Sequence, residues 1–141
     1  MSQEILDAHN RYRAEVGVPS LQWCDNLANQ AYSWASQLAS TKRFEHSHTQ
    51  GQGENLWKGT AKAFSFTQMV DSWGREKQYF AGGIFPNVST TGNWADVGHY
   101  TQIVWKDTSK VGCGWVDGPD GNCYLVCRYV SPGNFIGQAA F

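Results

Sequence analysis

Residues 110–130 read KVGCGWVDGPDGNCYLVCRYV, two β-prone runs on either side of the turn-forming segment DGPDGN. This pattern predicts a β-hairpin. Pairing about a centre near residues 119–120 places Cys113 opposite Cys127. Cys123 and Cys127 are separated by four strand steps, about 13 Å, which exceeds the roughly 7 Å limit between bridged Cα atoms. We therefore predict a disulfide bond between Cys113 and Cys127.

The two remaining cysteines, Cys24 and Cys123, are predicted to form a second disulfide bond. An even number of cysteines in a small chain rich in glycine and tryptophan favours disulfides and secretion. Zinc binding by the thiols is a weaker alternative, because the chain contains no Cys-x-x-Cys pair. The N-terminal residues MSQEILDAHNRYR lack the apolar core of a signal peptide. The residues alone therefore leave open a cytosolic protein and a mature secreted form with a starting Met.

Apolar residues at helical spacing predict three helices and point to an α+β domain. The first helix covers residues 2–16, the second begins with Asp25 as its N-cap, and the third covers residues 66–80 and ends before two glycines. The segment HYTQIVW (99–105) fits a short helix or a strand, and GENLWKG (53–59) fits a strand. Helices packed on a small antiparallel sheet are the expected architecture, in one domain that covers residues 1–141.

Composition and motifs exclude several classes of function. The net charge is -1 and the charged residues are interspersed, so no basic stripe is present and nucleic acid is not an expected partner. No apolar run approaches the roughly 20 residues that span a bilayer. The chain contains no nucleophile elbow, no His-Glu-x-x-His motif, no phosphate-binding loop and no dinucleotide glycine motif.

The spacing of the four histidines permits a His/Glu site but does not establish one. His9 lies on the apolar side of the first helix and is expected to be a core residue. His46 and His48 are two residues apart, which suits either metal chelation from a strand or a polar turn. His99 follows a glycine that permits close backbone approach. Glu76 lies one helical turn beyond a tryptophan. It is either a residue of the site or an exposed charge on the helix surface.

Several stretches together resemble one family. They are LDAHNRYR (6–13), HSHTQGQGENL (46–56), VDSWGREKQY (70–79), GHYTQIVW (98–105) and CRYVSPGN (127–134). The chain resembles the CAP superfamily, which includes cysteine-rich secretory proteins, antigen 5 and pathogenesis-related protein 1. The resemblance implies a three-layer α-β-α sandwich with a central antiparallel sheet. The predicted bridge between Cys113 and Cys127 matches a bridge that is common in the family, whereas Cys24 is not a typical family position.

The resemblance implies a cleft formed by His46, Glu54, Glu76 and His99. In family members the two histidines bind a divalent cation, for which zinc is our first expectation and magnesium the second. Two imidazoles make a weak zinc site, since a catalytic zinc normally has three protein ligands. Such binding is lost as the histidines protonate below roughly pH 6.5. His48 falls outside the pattern and is expected to be exposed.

Lipid binding is the activity that the resemblance supports best, so we expect binding rather than catalysis. Some members bind sterols through an aromatic loop after the third helix, and others hold fatty acyl chains between two helices. The corresponding loop residues are Tyr79, Phe80, Ile84 and Phe85. The leading hypothesis is an extracellular protein that binds sterols or fatty acids in defence, virulence or lipid export. Asn87, in the sequence NVS, is a candidate glycosylation site.

Two other classes of function remain as alternatives. The first is a metal-dependent hydrolase or protease, in which Glu54 or Glu76 beside a zinc-bound water acts as a general base. The second is an immune effector, toxin or allergen that acts through contact with a host protein. A membrane surface is a further candidate partner. We expect the protein to be a monomer or a weak dimer.

Overall fold

A computed structural model describes residues 2–141, and its four strands form one sheet. The strands are β1 (Gln22–Trp23), β2 (Gly53–Thr60), β3 (Lys110–Asp117) and β4 (Asn122–Val130), in the spatial order β1-β3-β4-β2. β3 pairs with β4, and β4 pairs with β2, in antiparallel directions. The short β1 was not predicted, and it pairs with β3 in the parallel direction. The sheet is therefore antiparallel, as expected, except at this edge.

Four α-helices accompany the sheet: α1 (Ser2–Glu15), α2 (Asp25–Thr41), α3 (Phe66–Gly74) and α4 (Gly98–Val104). The N-cap of α2 is Cys24 rather than Asp25. α3 is shorter than predicted and continues as a 3-10 helix, Arg75–Tyr79. At Gly74 an added Cβ would lie 2.1 Å from Cζ of Tyr12, so the absence of a side chain lets α1 approach this end of α3 closely. None of the helices described combines the length and apolarity needed to cross a membrane.

The two faces of the sheet are covered by different helices, which gives three layers. On one face, α2 packs its small buried side chains Ala31 and Ala35 against the sheet. Gly112 and Gly114 of β3 make this close packing possible, because an added Cβ would lie 2.3 to 2.4 Å from the backbone of α2. On the other face, α1, α3 and α4 form the larger core cluster. The arrangement confirms the predicted α-β-α sandwich.

The hairpin has the predicted register, but only one of the two predicted disulfides forms. Cys113 is paired with Cys127 across β3 and β4 and is bonded to it. Cys24 and Cys123 are both free thiols, so the prediction that they form a bridge is wrong. Cys24 is hydrogen-bonded to Val111 at the start of β3, whereas Cys123 is paired with Asp117 at its end. These ends are six strand steps apart, about 20 Å, which a disulfide cannot span.

Candidate functional site

The predicted cleft residues come from four different parts of the chain. His46 lies in the loop before β2, and Glu54 lies in β2. Glu76 lies in the 3-10 helix after α3, and His99 lies in the first turn of α4. Both histidines and Glu54 line one cavity of about 240 Å³, together with Trp94, Ala95 and Asn134 among others. The structure thus brings the two histidines to one cleft, each with a glutamate beside it.

The first pair is formed by His46 and Glu54. Nδ1 of His46 lies 2.9 Å from Oε1 of Glu54. The same carboxylate accepts hydrogen bonds from the backbone N–H and hydroxyl of Ser47, and from Nε of Arg128 at 3.1 Å. Burial by itself would raise the pKa of Glu54, but these hydrogen bonds and the charge of Arg128 outweigh it and lower the pKa. Glu54 is therefore an ionised acceptor, and Nδ1 of His46 carries the proton.

The second pair is formed by His99 and Glu76. Nδ1 of His99 lies 2.7 Å from Oε2 of Glu76, whose other oxygen accepts the backbone N–H groups of His99 and Tyr100. The His99 ring is also stacked on Trp73, with ring centroids 6.0 Å apart and an interplanar angle of 11°. The two backbone hydrogen bonds hold the carboxylate of Glu76 in place. Its bond to Nδ1 and the stacking on Trp73 then fix the orientation of the imidazole.

Several residues of the cleft were not identified from the sequence. Arg128 and Ser47 both bind Glu54. The side-chain amide of Asn55 donates one hydrogen bond to the carbonyl of His99 and one to the hydroxyl of Tyr129. The first of these bonds joins β2 to α4 beneath the cleft. Arg128 faces Glu54 because the two are paired across β4 and β2. Nothing in the local sequence predicts that pairing, although the residue lies within the family motif CRYVSPGN.

The donor set is compatible with a divalent cation but supplies few ligands. With Nδ1 of His46 and His99 directed to carboxylates, Nε2 of each ring is left as the coordinating atom, the usual arrangement of metal-binding histidines. Within residues 2–141, no group of three or more His, Cys, Asp and Glu side chains is placed to hold a metal ion. His48 is exposed, as expected, with a φ of 57°. The residues therefore fit a weak, two-histidine site.

The predicted lipid loop does not present its four apolar side chains together. Tyr79 and Ile84 are 42% and 53% exposed, and Phe80 is half-buried. Phe85 is 4% exposed and packs between Trp94 and Trp105, so it is a core residue and not one that waits for a ligand. Asn87 is exposed, as a glycosylation site requires.

A separate groove lies where α1, α3 and β2 meet. Its volume is about 640 Å³, and its walls include the aromatic residues Tyr12, Trp57 and Phe64. Three cationic side chains, Lys58, Arg75 and Lys77, and one acidic side chain, Asp71, also line it. Pockets that bind small molecules usually have volumes of about 300–1,000 Å³ and apolar walls with a few polar groups. This groove meets the volume condition, but six of its ten lining residues are polar or charged, so its walls combine aromatic rings with charged groups.

The fold and the cleft define a class of small, disulfide-bonded α-β-α sandwich proteins with paired His and Glu residues. The chain belongs to the cysteine-rich secretory protein family, whose sequence profile matches residues 6–129.

Comparisons with individual proteins agree with this assignment. Pathogenesis-related protein 1C of Nicotiana tabacum is 41% identical over 99% of this chain and 80% of its own length. Golgi-associated plant pathogenesis-related protein 1 of Homo sapiens is 36% identical over 98% of this chain and 87% of its own length. The crystal structure of NaASP2 with Zn²⁺ superposes with a TM-score of 0.82 at 25% identity, covering 99% of this chain and 84% of that one.

Proposed function

We propose that this protein is secreted and binds an anionic lipid, a fatty acid in the first instance, in the groove between α1, α3 and β2. The observation that carries the proposal is the composition of that groove, in which Tyr12, Trp57 and Phe64 are accompanied by Lys58, Arg75 and Lys77. Aromatic walls suit an acyl chain, and cations suit a carboxylate. The disulfide and the family support secretion.

Arg75 is the best candidate to bind the lipid carboxylate. Lys77 already forms an ion pair with Glu15, and Lys58 lies over the ring of Tyr124. Arg75 forms no ion pair with any residue in the described part of the chain, and its side chain is exposed at the groove. A guanidinium binds a carboxylate through two parallel hydrogen bonds, which would fix the ligand head at this end of α3.

A sterol in the 79–85 loop remains the second candidate ligand. Tyr79 and Ile84 are exposed there, and an exposed apolar side chain of this size gains about 1.5–3 kcal/mol when it is fully buried. Phe85, however, already packs in the core, so the loop offers fewer contacts than its sequence suggests. We therefore favour the groove over the loop.

We also propose that the cleft holds a divalent cation, zinc before magnesium, through Nε2 of His46 and His99. The similar protein NaASP2, whose crystal structure was determined with Zn²⁺, supports this choice. The bound ion would supply a positive charge and exchangeable water ligands. Glu54 and Glu76 orient the imidazoles in this scheme. Both carboxylates already accept several hydrogen bonds, which favours this positioning role over the general-base role of a hydrolase.

Binding of tritiated palmitate and tritiated cholesterol to the folded protein tests the lipid proposal. Arg75→Gln and Phe64→Ser are expected to weaken palmitate binding about tenfold, because each removes one groove contact. Phe135→Ser is the matched control, since Phe135 is as exposed as Phe64 but does not line the groove. Cholesterol binding that is lost only in Ile84→Ser would move the lipid site to the loop. No binding of either lipid would reject the proposal.

A further inference from the structure

β1 covers only the beginning of the outer edge of β3. The two strands pair at Gln22 with Lys110 and at Trp23 with Val111, after which α2 begins and the chain leaves the sheet. Within residues 2–141, no other strand or isolated bridge pairs with the outer side of Cys113–Asp117. The last residues of β3 therefore form an open sheet edge, which is a template for a further strand.

The register identifies the backbone groups that face outward on this edge. The N–H of Cys24 donates to the carbonyl of Val111, so Val111 directs its polar groups towards β1. Because residues of a strand alternate in the side to which they hydrogen-bond, the N–H and C=O groups of Trp115 and Asp117 also face outward. Trp115 is half-buried and Asp117 is exposed, so this part of the edge is accessible.

A groove of about 360 Å³ lies beside this edge and is lined by Trp23, Tyr32 and Trp115, with Cys113 and Gly114 at β3. Tyr32 is 55% exposed although it is aromatic. The only charged side chain among the lining residues described is the carboxylate of Asp25. Trp23 and Trp115 pack on the face of the sheet that α1 and α3 cover, whereas Tyr32 and Asp25 belong to α2 on the other face. On the α2 side, one exposed aromatic ring and one carboxylate without a cation favour a lysine or arginine side chain.

From these two observations we propose that the outer edge of β3 is a docking site for an extended peptide segment of a partner protein. The segment pairs with Trp115 and Asp117 as an added strand. One of its lysine or arginine side chains, directed to the α2 side of the edge, lies beside the ring of Tyr32 and the carboxylate of Asp25. In this mode of recognition, main-chain hydrogen bonds provide affinity and side-chain pockets provide specificity. The site shares no lining residue with the lipid groove or with the His/Glu cleft.

The probe is a capped five-residue peptide, acetyl-Thr-Val-Arg-Val-Thr-amide, added to the ¹⁵N-labelled protein. Shifts and slowed hydrogen exchange are expected at the backbone amides of Trp115 and Asp117. Asp25→Asn and Tyr32→Ala are each expected to weaken binding by about fivefold, since each removes one partner of the cation. Asp107→Asn changes the net charge equally, and because Asp107 does not line the groove it should leave binding unchanged.

Two altered peptides separate strand addition from charge attraction. In the first peptide the arginine is replaced by glutamate, and in the second alternate backbone nitrogens are methylated. Each change should abolish the shifts at Trp115 and Asp117. Equal binding of the N-methylated peptide would overturn the proposal, as would the absence of shifts at millimolar peptide. Shifts at the same amides that depend on protein concentration, without peptide, would show that a second copy of the chain occupies the edge, and would overturn it as well.

Discussion

Nδ1 of His99 lies 2.7 Å from Oε2 of Glu76, although the two residues are 23 positions apart and belong to different helical segments. The other oxygen of the carboxylate accepts the N–H groups of His99 and Tyr100 at the start of α4. One side chain thus satisfies two unpaired donors of the first helical turn and also directs the imidazole. The orientation of His99 therefore depends on the 3-10 helix that follows α3.

Replacing Glu76 by glutamine should weaken zinc binding by about 10- to 100-fold, as is usual when the partner of a metal-binding histidine is lost. The amide also forms weaker hydrogen bonds than the carboxylate does. Isothermal titration with zinc at pH 7.5 measures the change. Glu15→Gln is the control, because Glu15 is exposed and paired only with Lys77. Equal zinc affinity in the Glu76 and Glu15 variants would contradict the role given to Glu76.

His9 should make the protein less stable as the pH falls. The ring is completely buried, with Nδ1 donating to the carbonyl of Ile5 and Nε2 accepting the hydroxyl proton of Tyr129. Burial, opposed by the Ile5 hydrogen bond and helped by the charge of Arg13, lowers the pKa of His9 from 6.5 to about 4. Between these values the unfolded chain binds a proton that the folded protein does not, so the free energy of unfolding decreases as the pH falls.

The expected loss from His9 is about 3 kcal/mol between pH 6.5 and pH 4, at about 1.4 kcal/mol for each unit of pKa. Urea unfolding at a series of pH values measures it. His9→Gln keeps a polar side chain but removes the titration, so the stability difference between the variant and the parent should shrink as the pH falls. A constant difference would show that His9 does not titrate as its burial predicts.

The sequence predicted the parts of this fold that depend on local patterns. α1 and α2 follow from helical spacing, and the register of Cys113 and Cys127 follows from the position of one turn. His9 was correctly assigned to the core. The second disulfide was wrong because an even number of cysteines carries no information about the distance between Cys24 and Cys123.

The candidate site could not be derived from spacing alone. His46 and Glu76 were identified by resemblance to a family, and their contacts became visible only when four elements were placed together. Arg128 was missed because its contact with Glu54 spans 74 residues and depends on the pairing of β2 with β4. Phe85 was misjudged because its burial depends on two tryptophans further along the chain.

The two free thiols should differ in reactivity. Cys24 is half-buried, whereas Cys123 is buried and its pKa is raised to about 12 by burial and by Asp117. Because the thiolate is the reactive form, iodoacetamide should modify Cys24 alone in the folded protein and both residues in urea. Mass spectrometry of the two samples counts the modified cysteines. Absence of modification in unreduced, unfolded protein would show that these two residues are bridged after all.

Removing the Cys113–Cys127 bridge should lower the free energy of unfolding by about 3 kcal/mol, the value expected for closing a loop of this length. The double substitution Cys113→Ser and Cys127→Ser tests this by urea unfolding. Cys24→Ser, which removes a free thiol, is the matched control and should cost less than about 1 kcal/mol. A similar loss in both proteins would show that the bridge contributes little to stability.

Arg13 should be the most costly cation in the protein to replace. Its buried guanidinium donates to four backbone carbonyls, those of Pro19, Ile103, Trp105 and Thr108. Two of these acceptors lie at the C-terminal end of α4, where the helix dipole also favours a positive charge. Arg13→Met would fill much of the same space but remove the guanidinium donors from all four carbonyls, of which that of Trp105 keeps the backbone N–H of Thr108 at 3.1 Å.

We expect Arg13→Met to lower the free energy of unfolding by about 3 kcal/mol or more, since each buried acceptor without a donor costs about 1–3 kcal/mol. Arg13→Lys should cost less, because an ammonium group still provides three donors, although not in the planar arrangement of arginine. Arg11→Met is the control, because Arg11 is half-exposed and its ion pair with Asp71 lies at the surface. Loss of this ion pair should lower the free energy of unfolding by about 1 kcal/mol at most. Urea unfolding of the three variants at pH 7 ranks them, and equal losses for Arg13→Met and Arg11→Met would show that α1 is not held to α4 through this guanidinium.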